Sequence, residues 1–106
     1  MKHKPVLSLV LLAALGGFAG TASASADLAK KLNCVGCHTP DKKLVGPSYK
    51  DIAAKYKGDA GASDKLADKV KKGGAGVWGQ IPMPPNAAVS DGDAKALVEW
   101  ILAGAK

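Results

Sequence analysis

Arginine is absent from this 106-residue chain: all 15 basic residues are lysine, set against nine acids for a formal charge of +6. Arginine is the usual reader of bases and phosphates, so its absence argues against nucleic-acid recognition. Aromatic residues are scarce, two Trp, two Tyr and one Phe, which is thin material for a core. No apolar run approaches the roughly 20 residues that cross a bilayer, which excludes a membrane channel or transporter. The 47% apolar content is too high for a disordered chain. One domain is expected at this length, and a domain so small usually needs a disulfide, metal or cofactor to hold it together.

The N-terminus reads as an export signal. Lys2, His3 and Lys4 form a basic start, residues 6–15 are apolar except for Ser8, and residues 21–26 are all small. Two A-x-A cleavage sites overlap there, Ala22-Ser23-Ala24 and Ala24-Ser25-Ala26. Cleavage after Ala24 is preferred because it leaves Ser25 to cap the first helix, with Asp27 in its first turn. The expected division is 1–24 as a cleaved secretory signal peptide and 25–106 as one periplasmic domain. An uncleaved anchor is the alternative, for which the apolar stretch is short. Removing 24 residues leaves 82, with 13 lysines against nine acids, a formal +4. His38 is then the sole histidine and Met83 the sole methionine.

Four stretches show helical periodicity and none shows the alternation of a strand, so the fold class is all-α. Leu28, Leu32 and Val35 mark a first helix running into the cysteines. Tyr49, Ile52, Ala53 and Tyr56 mark a second, capped by Ser48, with Gly58 beyond its end. A third starts at Ser63, carries Leu66 and Val70, and stops at Gly73-Gly74. The last is capped by Ser90, carries Ala94, Leu97, Val98 and Ile101 on one stripe, and is closed by Gly104. Residues 38–47 and 73–89 are left as irregular loops rich in Gly and Pro, and such loops in a compact domain are usually functional.

Cys34-Val35-Gly36-Cys37-His38 is C-x-x-C-H, the attachment signature of a c-type haem. Two thiols three positions apart can each add to a haem vinyl group, and the adjacent histidine then reaches the iron as its proximal ligand. The other readings are weaker. A disulfide here would close a very short loop. A thioredoxin-like pair wants a βαβ setting, and zinc wants four ligands where this motif offers three.

The second axial position follows by elimination. A second histidine ligand is excluded once the chain is cut, which leaves Met83. It sits in Ile81-Pro82-Met83-Pro84-Pro85-Asn86, a loop with φ restrained at three prolines. A stiff loop presents a weak thioether ligand with little ordering entropy. His/Met ligation raises the haem potential, and with both axial positions filled the iron exchanges electrons instead of binding substrate. The metal ligands expected are therefore His38 and Met83.

These residues resemble the small bacterial single-haem class I cytochromes c, of the cytochrome c-551/c-552 type. The likeness spans nearly all of residues 27–106, and its specific parts are the C-x-x-C-H motif, Val45-Gly46-Pro47, Gly76-Val77-Trp78-Gly79 and the Met83 loop. It implies about four short helices around one covalent haem c, held through Cys34 and Cys37. It also implies that the Pro47 carbonyl accepts from His38 Nδ1, that Asn86 donates to the Met83 sulfur, and that Trp78 and Lys69 meet a haem propionate. The base at the propionate is often arginine in this family, so Lys69 is a departure.

By the same resemblance the chain is an electron carrier and not an enzyme, donating to a periplasmic nitrite reductase, peroxidase or terminal oxidase. Partners are expected to dock at the exposed haem edge, where lysines ring an apolar patch of Val35, Leu44, Val45, Ile81, Pro82 and Pro84 and steer weak, fast encounters. No nucleic acid, no stable membrane insertion of the processed chain and a monomeric state are expected. Two other functions stay open at this point. One is an enzyme or gas sensor in which Met83 leaves the iron; the other is a haem-free thiol–disulfide protein.

Overall fold

The structure, a computed structural model, describes residues 19–106, with side chains from residue 24 onward. Most of the expected export segment thus lies outside the described residues, and residues 19–24 enter as the first turns of a helix. Four helices follow in order: α1 (Ala19–Lys31), α2 (Tyr49–Lys55), α3 (Ala62–Lys72) and α4 (Asp91–Leu102). Among the described residues there is no strand, only two isolated antiparallel bridges, His38 with Lys43 and Gly74 with Met83.

Helix α1 begins ahead of the expected cleavage site, so in the uncut chain Ser25 is a buried residue inside it. At the other end the helix does not run on into the cysteines. Asn33 takes a left-handed conformation at φ 60°, and its amide turns back to the Lys30 carbonyl at 3.1 Å. Asparagine tolerates that conformation better than other non-glycine residues, so it ends helices. Cys34–Gly36 then form a separate 3₁₀ turn.

The other starts are set by caps. Ser48 and Ser90 each accept a backbone amide three residues on, from Asp51 and Asp93, both at 3.1 Å. Each satisfies one amide that a helix start leaves unpaired. Helix α3 starts one residue before its expected boundary. Asp59 accepts the Gly61 amide at 2.9 Å, and Ala62 is already helical and buried.

Helix α4 packs against each of the other three. Its inward stripe is Ala94, Leu97 and Val98, with Ala29, Tyr49, Ala62 and Val89 completing the buried apolar set. The ion pairs Lys71–Asp91 and Lys95–Asp64 also join α3 to α4. Tyr49, Leu97 and Val98 are the only large apolar side chains fully buried among the described residues. The polypeptide core is as thin as its aromatic content suggests. Large apolar side chains lie exposed instead on two segments, Val35, Leu44 and Val45 on one, Val77, Trp78 and Ile81 on the other.

Candidate haem site

The two segments that expose apolar side chains also carry the expected ligands. On the first, the 3₁₀ turn sets Cys34 and Cys37 one turn apart, on one side of the backbone. Both are free, half-buried thiols. Burial pushes the Cys34 thiol above its ordinary value; a hydrogen bond from its own backbone opposes this, and nearby Cys37 adds to the rise.

The His38 ring is held by residues 46–49. Its Nδ1 donates to the Pro47 carbonyl at 2.7 Å, which leaves Nε2 as the lone pair available to a metal. The loop between them is closed by the Gly46 amide on the Cys37 carbonyl and the Tyr49 amide on the Thr39 carbonyl, both at 2.9 Å. Position 46 has to be glycine, because a Cβ there would lie 2.5 Å from His38 Cε1. Tyr49 stacks beside the imidazole, and Trp100 meets Tyr49 edge-on. Burial pushes the Tyr49 phenol up to about 12, with Cys34 contributing a smaller part.

On the second segment Met83 is half-buried. Its amide and carbonyl pair with those of Gly74 just past the end of α3. Gly73 has φ 72° and ψ −173°, a region open essentially to glycine alone. A Cβ there would also lie 2.4 Å from the Met83 carbonyl oxygen.

Asn86 is engaged on both sides of its loop. Its side-chain amide donates to the Val70 and Pro84 carbonyls at 3.2 and 3.3 Å. Its backbone amide also donates to Val70 at 3.1 Å. Val70 lies in the last turn of α3, where carbonyls lack helical partners. Asn86 thereby ties the methionine loop to the end of α3.

The expected propionate partners, Lys69 and Trp78, each have a neighbour within the polypeptide. Lys69 lies along Gly74, where a Cβ would meet its Cε at 3.1 Å. Trp78 is overlaid by the Lys55 ammonium, 5.4 Å from the ring centroid. Lys55 stands in the last turn of α2, far from Trp78 in sequence. Tyr49, read from the sequence as core, is both core and a neighbour of His38. Its place directly after the Gly-Pro-Ser turn was the one local hint.

The residues present fit a covalent haem. Two sulfurs on one side of a turn, an imidazole with its Nε2 free and a thioether on a tethered loop form a suitable donor set. The exposed apolar side chains fall on those same two segments, as a large apolar disc between them requires. Tyr49 Oη and Trp100 Nε1 are buried with no partner among the described residues.

Residues 22–105 match the family described as Cytochrome c. The chain is 63% identical over 84 residues to cytochrome c-552 of Nitrosomonas europaea, covering 79% of this chain and 82% of that one. It is 49% identical over 102 residues to cytochrome c-551 of Pseudomonas aeruginosa, covering 96% and 97%. The crystal structure of wild-type Nitrosomonas europaea cytochrome c552 superposes with a TM-score of 0.73 at 62% identity, over 74% of this chain and 98% of that one.

Proposed function

This chain belongs to the cytochrome c family as a small class I member with one covalently attached c-type haem, and we propose that it shuttles single electrons in the periplasm. The family's members of this kind are electron carriers and not enzymes. In this reading Cys34 and Cys37 hold the haem as thioethers, and His38 and Met83 bind its iron. The haem supplies a centre that gains and loses one electron without making or breaking bonds.

One observation carries the reading, the 2.7 Å hydrogen bond from His38 Nδ1 to the Pro47 carbonyl. It supports a fixed tautomer and ring direction with Nε2 turned to the metal, and it raises the basicity of the ligand. Met83 sits in a proline-rich loop tied to α3 at Gly74 and Asn86, which resists departure from the iron. Lys69 and Trp78 stay candidates for a propionate, with Lys55 placed to support the indole.

Residues 25–106 are the working domain in this proposal, released by cleavage after Ala24. No helix among the described residues is long and apolar enough to cross a membrane. The acceptor we propose is a nitrite reductase, a peroxidase or a terminal oxidase that docks as a monomer meets its partner, on the patch containing Val35, Leu44, Val45 and Ile81. These four side chains are 42 to 66% exposed, which suits a small, transient contact.

Carbon monoxide added to the native ferrous protein tests the shuttle. No binding is expected, and ready binding would replace the shuttle with a sensor or enzyme. The mass of the exported protein should exceed that of residues 25–106 by one haem; an unmodified mass would remove the haem and support a thiol–disulfide protein. Oxidation of the reduced protein by the true partner should slow as salt is added.

A further inference from the structure

Residues 46–49 meet the His38 ring on more than one side. The Pro47 carbonyl accepts a hydrogen bond from its Nδ1 at 2.7 Å, and Gly46 stands so near that a Cβ there would collide with its Cε1. Tyr49 lies alongside with ring centroids 5.9 Å apart and planes 24° from parallel. A hydrogen bond to a carbonyl tolerates a range of directions, so the Pro47 contact sets where Nε2 points but restrains rotation about that direction less tightly. A ring stacked nearly parallel restricts that rotation.

Tyr49 is itself closely packed. It is 2% exposed, and its amide is bound to Thr39. It opens α2 directly after the buried cap Ser48. Trp100 of α4 stands against it edge-on, with centroids 5.4 Å apart and planes at 64°, a favoured aromatic geometry. The rings of His38, Tyr49 and Trp100 therefore run as one packed row from the haem-binding motif to the central helix.

We propose that Tyr49, backed by Trp100, is a positioning residue that sets the rotation of the His38 imidazole about its metal bond and thereby tunes the iron. This rests on the reading of His38 as an axial ligand. The angle of an axial imidazole plane determines which iron d-orbital overlaps it. That overlap governs the spread of unpaired spin over the macrocycle in the ferric state and contributes to the reduction potential. The ring, not the hydroxyl, makes the stack, so phenylalanine should serve in its place.

The test compares holoprotein carrying Tyr49→Phe, Tyr49→Leu and Trp100→Leu by proton NMR of the ferric state and by potentiometry. Tyr49→Phe should keep the order and spread of the haem methyl shifts. Tyr49→Leu should change both and move the potential, while the sulfur-to-iron charge-transfer absorption persists because Met83 stays bound. Trp100→Leu should shift the methyls in the same sense by a smaller amount, which keeps the proposal testable where Tyr49→Leu does not fold. Methyl shifts unchanged in a folded Tyr49→Leu, or unchanged in Trp100→Leu when the former fails to fold, overturn the proposal. The strongly shifted ring protons of a bound histidine in the unsubstituted protein check the ligand reading separately; their absence sinks that reading instead.

Discussion

Gly74 and Met83 exchange two backbone hydrogen bonds, amide to carbonyl in each direction, at 3.1 and 2.8 Å. The pair fastens the methionine loop to the chain that leaves α3, nine residues upstream. Gly73 makes the approach possible, since its positive φ turns the chain and the missing Cβ leaves room for the Met83 carbonyl. Asn86 closes the other side of the loop on Val70. Met83 is therefore placed by the end of a helix as well as by its flanking prolines.

Gly73→Ala should disturb this loop more than any other small change in it. The backbone conformation alone costs a non-glycine residue about 1–3 kcal/mol, and the collision with the Met83 carbonyl adds to that. Urea unfolding should show the loss, together with a weaker sulfur-to-iron charge-transfer band. An unperturbed band in the variant would mean that the loop does not need Gly73.

Asn86→Ala keeps the backbone amide on Val70 but removes both side-chain hydrogen bonds. A loss of about 1–2 kcal/mol is expected. The fall in denaturation midpoint should come with easier displacement of Met83 by added imidazole. Equal imidazole affinity in the variant and the parent would separate Asn86 from ligand retention.

The two serine caps should differ in weight. Loss of an N-cap costs about 1 kcal/mol on average and up to about 2. Ser48 is fully buried whereas Ser90 is exposed, and water can replace the lost acceptor only at the exposed site. Ser48→Ala should therefore lower the thermal midpoint more than Ser90→Ala, and the reverse order would contradict the burial argument.

Met83→His should keep two axial ligands but lower the reduction potential, because a thioether opposite histidine favours the ferrous state more than a second imidazole does. Potentiometry on the purified variant checks this. A potential unchanged by the substitution would argue that Met83 is not on the iron.

Asp91 makes stability depend on acid. A hydrogen bond from Lys71, reinforced by that lysine's charge, holds its carboxyl below the ordinary 3.8. The folded state thus binds this proton less readily than the unfolded state does. The stabilisation is present above the ordinary value and is lost as pH falls through the lowered one. Asp91→Asn should flatten the acid limb of thermal midpoint against pH by a small amount, since the carboxylate is largely exposed. Well below both values the slopes of parent and variant should coincide.

Much of this protein is legible before any tertiary structure. The C-x-x-C-H motif is local chemistry, and Met83 is the candidate second ligand by elimination, given the expected cleavage. Ser48, Ser90 and Gly104 punctuate helices through contacts within a few residues of themselves. The break at Asn33 leaves no mark in the periodicity, because Leu28, Leu32 and Val35 continue the helical spacing across it. Only the left-handed conformation at Asn33 separates α1 from the cysteine turn.

What the sequence by itself determined is the set of candidate groups for a haem and the helices that flank them, because spacing and capping act over a few residues. The tertiary structure decided how those groups are held. Asn86 reaches Val70 across 16 residues, Lys55 covers Trp78, and Trp100 backs Tyr49 against His38. No periodicity or motif encodes such pairings, since each depends on where α4 lays the other three helices. The shortage of aromatics was plain from composition. Only the packed chain showed that two of the few, Tyr49 and Trp100, stand in line with the histidine.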